Sequence, residues 1–86
     1  MSIPRKKFKQ EFDLKYAPTD IGVYITKLRK ARRISICQLA LRSNMKEPVL
    51  LRVEKGQADP RLSTLLKIIG GLEMSVADFF KVFVEY

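Results

Sequence analysis

The side chains with evident chemistry in this 86-residue chain are its cations. Seventeen Lys and Arg stand against nine Asp and Glu with no histidine, so the net charge of +8 is permanent at neutral pH. A charge of that size favours polyanionic partners. Residues 1–34 hold ten basic and three acidic side chains, and residues 35–86 hold seven and six, which concentrates the positive charge at the front. Two clusters stand out there: Arg5, Lys6, Lys7 and Lys9, interleaved with Phe8 and Phe12, and the group Lys27, Lys30, Arg32 and Arg33. Each suits either phosphates or a solvated face. Catalysis has little to build on. There is no histidine, no glycine-rich phosphate loop and no pair of carboxylates at useful spacing, so no nucleophile has an activating partner and the chain reads as a non-enzyme. The single cysteine, Cys37, excludes a disulfide within the chain. With no histidine beside it, too few ligands remain for a structural metal, and nothing points to a cofactor. Cys37 reads as a small packed side chain rather than a redox switch.

The elements that must position these groups fit one small domain. No apolar stretch approaches the roughly 20 residues that cross a bilayer. The first residues, MSIPRKKFKQEF, carry no apolar run behind their basic start. A cytoplasmic protein with no membrane partner is therefore expected. Residues 1–19 read as a basic N-terminal arm, either a solvated tail or a segment lying along phosphates. The period-two alternation of Phe12, Leu14 and Tyr16 also suits a short edge strand or a dimer contact.

Residues 20–86 read as helical. Asp20 is placed to cap a helix 1 over about Ile21 to Arg32, whose Ile21, Tyr24, Ile25 and Leu28 form one buried stripe. Ser35 with Gln38 is a capping box opening a short helix 2 over about 35–42. Asn44 suits a left-handed turn. Pro48 is tolerable only in a first turn, which starts helix 3 at about Lys46 or Glu47, spanning 46–54, with Leu50 and Val53 inward and Gly56 as its stop. Leu62, Leu65, Leu66, Ile69 and Leu72 predict an apolar helix 4 as the core element, its last turn weakened by Gly70 and Gly71. Ser75 with Asp78 is a second capping box before a helix 5, although residues 80–86 are β-branched and aromatic enough to suit a terminal strand as well.

Two short helices with a tight turn, inside an all-α, compact five-helix basic domain, are what a helix-turn-helix requires. Over Ile21 to Phe80 the residues resemble the phage repressor and Cro type, or xenobiotic-response-element family. The resemblance rests on Leu28-Arg29, Ser35 with Leu39-Ala40, Val53-Glu54-Lys55-Gly56, Asp59-Pro60, and Leu65-Leu66 through Leu72. It implies a lambda-repressor-like DNA-binding fold. The lead-in Tyr16 to Gly22 is similar to the start of antitoxins of this fold.

The resemblance implies that Arg29 of helix 1 and Glu54 closing helix 3 form a structural ion pair, so Glu54 is architectural. It also implies DNA contacts in three places. Ser35 and the amides around Ile36 and Cys37 would meet a phosphate. Lys46, Glu47, Leu51 and Arg52 would face the major groove beside Pro48, with Arg52 able to bond both acceptors of a guanine edge. Lys55, Gln57 and Arg61 would reach the backbone or minor groove. Family members usually carry glycine where Arg33 and Asn44 stand, so Arg33 is predicted to be strained. They also carry glutamine in place of Ile36 and a hydroxyl cap in place of Lys46.

The function so implied is that of a sequence-specific double-stranded DNA-binding regulator. It would be a homodimeric repressor on a roughly palindromic operator, associated with the nucleoid when bound. The dimer interface is expected at apolar Val76, Phe79, Phe80, Val82 and Phe83, which would otherwise cap the core. Two other readings stand beside it. One is an antitoxin that binds operator and toxin; the other is a protein-interaction module using helix 3 as an apolar docking surface.

Overall fold

The computed structural model describes residues 18–85, which form five helices. These are α1 (Pro18–Ala31), α2 (Ile36–Arg42), α3 (Glu47–Glu54), α4 (Leu62–Gly71) and α5 (Val76–Glu85). The basic residues before 18, with the alternating Phe12 to Tyr16, lie outside the described residues. The arm expected over 1–19 ends earlier than its predicted boundary, because Pro18 and Thr19 already belong to α1. Proline at a first helical position surrenders no hydrogen bond, since that amide has no partner inside the helix. Asp20 is thus a first-turn residue rather than the cap, still well placed against the positive helix end.

Local signals set the next two helices. Gln38 N–H donates to Ser35 Oγ at 3.1 Å and Ser35 N–H donates to Gln38 Oε1 at 3.0 Å, the reciprocal box that starts α2. Pro48 lies in the first turn of α3, behind Lys46, which occupies the cap position without a side-chain cap. α5 starts with Asp78 N–H donating to Ser75 Oγ at 3.0 Å and continues as helix to Glu85. Residues 80–85 are therefore helical: Phe79 and Phe83, four apart, fall on one face and are both buried.

Four helices end in the same way. Arg33, Asn44, Gly56 and Glu73 take left-handed φ of 56°, 54°, 71° and 59°, each two residues past α1, α2, α3 and α4 respectively. In every case paired amide bonds close the last turn, such as Arg33 N–H to Lys30 O and Ile34 N–H to Arg29 O. Only one of the four is the glycine that this conformation favours. The strain predicted at Arg33 is present, and Glu73 carries it as well.

The core joins α1, α2, α3, α4 and α5 through Tyr24, Ile25, Leu39, Leu50, Val53, Leu65, Ile68, Ile69, Leu72, Phe79 and Phe83. α1 packs on α3, α2 on α3 and α4, and α4 on α5. Tyr24 ties α1 to α5: its hydroxyl donates to Phe79 O at 2.6 Å, and its ring lies 4.8 Å and 5.0 Å from those of Phe79 and Phe83. Burial pushes the Tyr24 phenol above its ordinary value, partly offset by the nearby Arg32 guanidinium.

The stripe of α4 differs from the expected one. Leu65, Ile68, Ile69 and Leu72 face inward at i, i+3, i+4 and i+7, while Leu62 and Leu66 lie on the outer flank, 68 % and 41 % exposed. α4 runs as helix through Gly71, whose missing Cβ lets α2 approach. A Cβ there would collide with Ser43 Oγ and lie 3.0 Å from Leu39 Cδ1. Ser43 is buried, and among the described residues its Oγ has no hydrogen-bond partner. No described helix is long and apolar enough to cross a membrane.

Candidate nucleic-acid interface

α3 is held against α1 by a polar seam. Arg29 Nε donates to Glu54 Oε2 at 2.7 Å and its Nη2 to Glu54 Oε1 at 3.0 Å, with 12 % and 5 % of the two side chains exposed. The third arm of the guanidinium, Nη1, donates to Ile34 O at 3.0 Å. Thr26 Oγ1 lies 3.0 Å from Glu54 Oε1 and 2.9 Å from Gly22 O, so its single proton serves one or the other. At Gly22 the backbones meet: an added Cβ would run into Val53 O and sit 2.7 Å from Glu54 O. A charge-assisted fork of this kind sets direction as well as distance.

Thr26 and Gly22 escaped the reading of the sequence as members of this seam. Their signal was nonetheless available, since Gly22, Thr26 and Arg29 stand at i, i+4 and i+7, a second stripe of α1 beside the apolar one.

With Leu50, Val53 and Glu54 turned inward, α3 presents Glu47, Pro48, Val49, Leu51 and Arg52 to solvent. Lys46 stands exposed at its start, and Lys55, Gln57 and Arg61 are exposed in the segment that follows. The structure thus gathers Lys46, Glu47, Leu51, Arg52, Lys55, Gln57 and Arg61 along α3 and its following loop. Between them lies a pocket of about 190 Å³, with Val49, Val53, Ala58 and Pro60 lining it and Arg52 and Arg61 beside them. The face mixes fixed cations with apolar surface, since Val49 is 45 % and Leu51 38 % exposed.

Ser35 is exposed at the N-terminus of α2. Ile36 is half-buried and packed on the core, which leaves only its backbone amide for a ligand. Cys37 is exposed rather than packed, on the outer side of α2. Among the described residues no group of three or more His, Cys, Asp or Glu is placed to hold a metal.

The apolar residues expected at a dimer interface divide. Phe79 and Phe83 are buried in the protomer's own core against Tyr24, so they offer no surface to a partner. Val76 and Val82 are exposed, and Phe80 is half-buried with its ring edge-on to Phe79 at 5.1 Å.

This arrangement of helices is one seen before. Among solved structures, the chain is similar to the wild-type restriction-modification controller protein C.Esp1396I, with a TM-score of 0.76 at 24 % identity, covering 79 % of this chain and 88 % of that one. The same controller protein as a tetramer in complex with its natural 35 base-pair operator matches with a TM-score of 0.77 at 24 % identity, covering 79 % of this chain and 90 % of that one. In sequence, 44 residues are 46 % identical to an uncharacterized HTH-type transcriptional regulator of Haemophilus influenzae. That match takes in 51 % of this chain and 45 % of the relative, so the chain spans less than half of its length. A helix-turn-helix family model matches residues 25–79, from α1 into α5. The chain therefore belongs to the Cro/C1-type helix-turn-helix family.

Proposed function

We propose that this chain is a transcription regulator that binds duplex DNA through α2 and α3, with α3 in the major groove. The observation that carries the reading is the clamp of Arg29 and Thr26 on Glu54, which holds α3 with Glu47, Leu51 and Arg52 facing outward. A reading element must arrive at the base edges in a fixed register, and a helix locked at its C-terminal end meets that need. Arg52 would bond a guanine edge, Leu51 would touch a thymine methyl, and Glu47 would accept from a cytosine amine. Ser35 with the first amides of α2, together with Lys55, Gln57 and Arg61, would contact the backbone and fix the register, while Lys46 stands at the groove-facing start of α3. That the controller protein of the same fold is found in complex with its operator supports duplex DNA as the partner.

A homodimer on a roughly palindromic operator, with half-sites about 10 base pairs apart or a multiple of that, fits the helix-turn-helix mode. Repression by occluding a promoter is the simplest output. Val76, Phe80 and Val82 remain available for the dimer contact, and exposed Leu62 and Leu66 add apolar surface beyond the expected residues. A second reading rests on Val49 and Leu51, which make the outer face of α3 more apolar than phosphate and base contact alone requires. On that reading a protein partner, such as the toxin of an antitoxin pair, docks there.

Fluorescence anisotropy with the duplex upstream of the chain's own gene and with a shuffled duplex separates the two. A preference of about a thousandfold or more for the first supports the regulator. Equal, salt-sensitive binding to both counts against it and favours the protein partner.

A further inference from the structure

A second polar concavity lies apart from α3. A cleft of about 420 Å³ opens where the C-terminal ends of α1 and α4 meet the side of α2. Arg32 and Arg33 line it from the turn after α1, Arg42 from the end of α2 and Glu73 from the turn after α4, so three arginines and one glutamate share its wall. Ile34 and Leu72, both buried, supply its apolar lining.

The charges here are poorly matched within the chain. Arg42 Nη1 meets Glu73 Oε1 only at 3.5 Å, between side chains 43 % and 76 % exposed. Among the described residues neither Arg32 nor Arg33 has an acidic partner at ion-pair distance. Arg33 and Glu73 also hold left-handed backbone at φ 56° and 59°, positions where glycine is the least strained choice. These two helix-ending turns bring their charged side chains to one cleft.

We propose that this cleft binds a phosphoryl group. Arginine forks match phosphate oxygens two at a time, and three of them around a concavity exceed what one carboxylate neutralises. Glu73 competes for Arg42 and swings aside when the anion enters. The cleft is larger than one phosphate needs, so the group arrives as part of a larger body. That body is either a free phosphate compound or the backbone of a duplex. Gln38 shares the wall while accepting from Ser35 N–H, so occupancy is transmitted to the start of α2.

The test is a titration of the ¹⁵N-labelled full chain with pyrophosphate, at constant ionic strength against a chloride control. Saturable shifts are expected at the amides of Arg32, Arg33, Ile34, Gln38, Arg42 and Glu73. Arg42→Gln should weaken pyrophosphate binding about tenfold, and Glu73→Gln, which removes the competitor, should tighten it severalfold. Both positions are exposed, and thermal melts of the two variants verify that they fold. Anisotropy with an unrelated duplex identifies the source of the phosphoryl group. If a backbone seats there, Arg42→Gln also weakens duplex binding and lowers the salt slope by about one. If the ligand is a free phosphate compound, duplex binding by Arg42→Gln is unchanged while pyrophosphate binding still weakens about tenfold. Unsaturable shifts spread over every basic surface, with Arg42→Gln matching the parent in both assays, would overturn the proposal.

Discussion

Arg29 and Glu54, 25 residues apart in sequence, meet in a two-point fork at 2.7 Å and 3.0 Å that fixes α3 on α1. Removing one partner strands a charge that the fold has taken out of water. Arg29→Met is expected to cost about 3 kcal/mol in urea unfolding. Adding Glu54→Gln should recover part of that loss, because the stranded carboxylate is then neutral. A double variant no more stable than Arg29→Met alone would show that the pair's value lies elsewhere than in charge compensation.

Arg33 sits at φ 56°, where a side chain crowds its own carbonyl. Arg33→Gly should therefore stabilise the fold by about 1 kcal/mol. Glu73→Gly should act in the same direction, and Gly56→Ala in the opposite one, since its Cβ would also meet Thr19 Cγ2 at 2.5 Å. Chemical denaturation of the three variants checks the ordering.

Tyr24 donates to Phe79 O at 2.6 Å from a buried site, and burial raises its phenol pKa above the ordinary 10.0. The folded chain then keeps a proton that the unfolded chain gives up. The associated stability is complete below about pH 10 and is lost as pH climbs beyond it. Tyr24→Phe should cost about 1 kcal/mol at neutral pH by removing a buried hydrogen bond to the Phe79 carbonyl. It should also flatten the alkaline fall in stability. Melts from pH 8 to 11 on both proteins read the two effects separately.

Gly71 and Ser43 share the α2–α4 contact, where a Cβ on Gly71 has no room beside Ser43 Oγ. Gly71→Ala should destabilise by about 2 kcal/mol. Ser43→Ala, which removes an unpartnered buried hydroxyl, should be neutral or stabilising alone and should rescue part of the Gly71→Ala loss. Strict additivity of the two changes would mean that they do not touch.

How far the sequence carries this account depends on the range of each signal. Ser35 with Gln38, Pro48, Asn44 and Gly56 act within one turn of the chain, and each placed its element correctly. Thr26 serves a residue 28 positions away, so no local pattern gives it its role. Glu73 adopts a left-handed turn with none of the residue chemistry that announces one. Gly71 reads in the sequence only as a residue that weakens a last turn, because its reason, the approach of α2, is tertiary, while a Cβ on Gly70 would meet nothing. Phe79 and Phe83 form an apolar stripe that a protomer's own core and a partner's surface would fill equally well; only the position of Tyr24 decides between them. The ion pair of Arg29 with Glu54 was legible through family resemblance rather than spacing. The bases that α3 meets lie beyond both sequence and fold, since Glu47, Leu51 and Arg52 define only the chemistry offered to them.

The central claim is that the outer face of α3 reads duplex sequence, and Arg52→Ala tests it most directly. Its affinity should be measured against the upstream duplex and a shuffled one, beside Lys55→Ala. Arg52→Ala is expected to lower affinity for the upstream duplex by about 10- to 100-fold while leaving the shuffled duplex nearly unchanged. Lys55→Ala should weaken both alike and reduce the salt slope by about one. If Arg52→Ala instead weakens the two duplexes equally, Arg52 is only another phosphate contact and α3 does not read the operator through it.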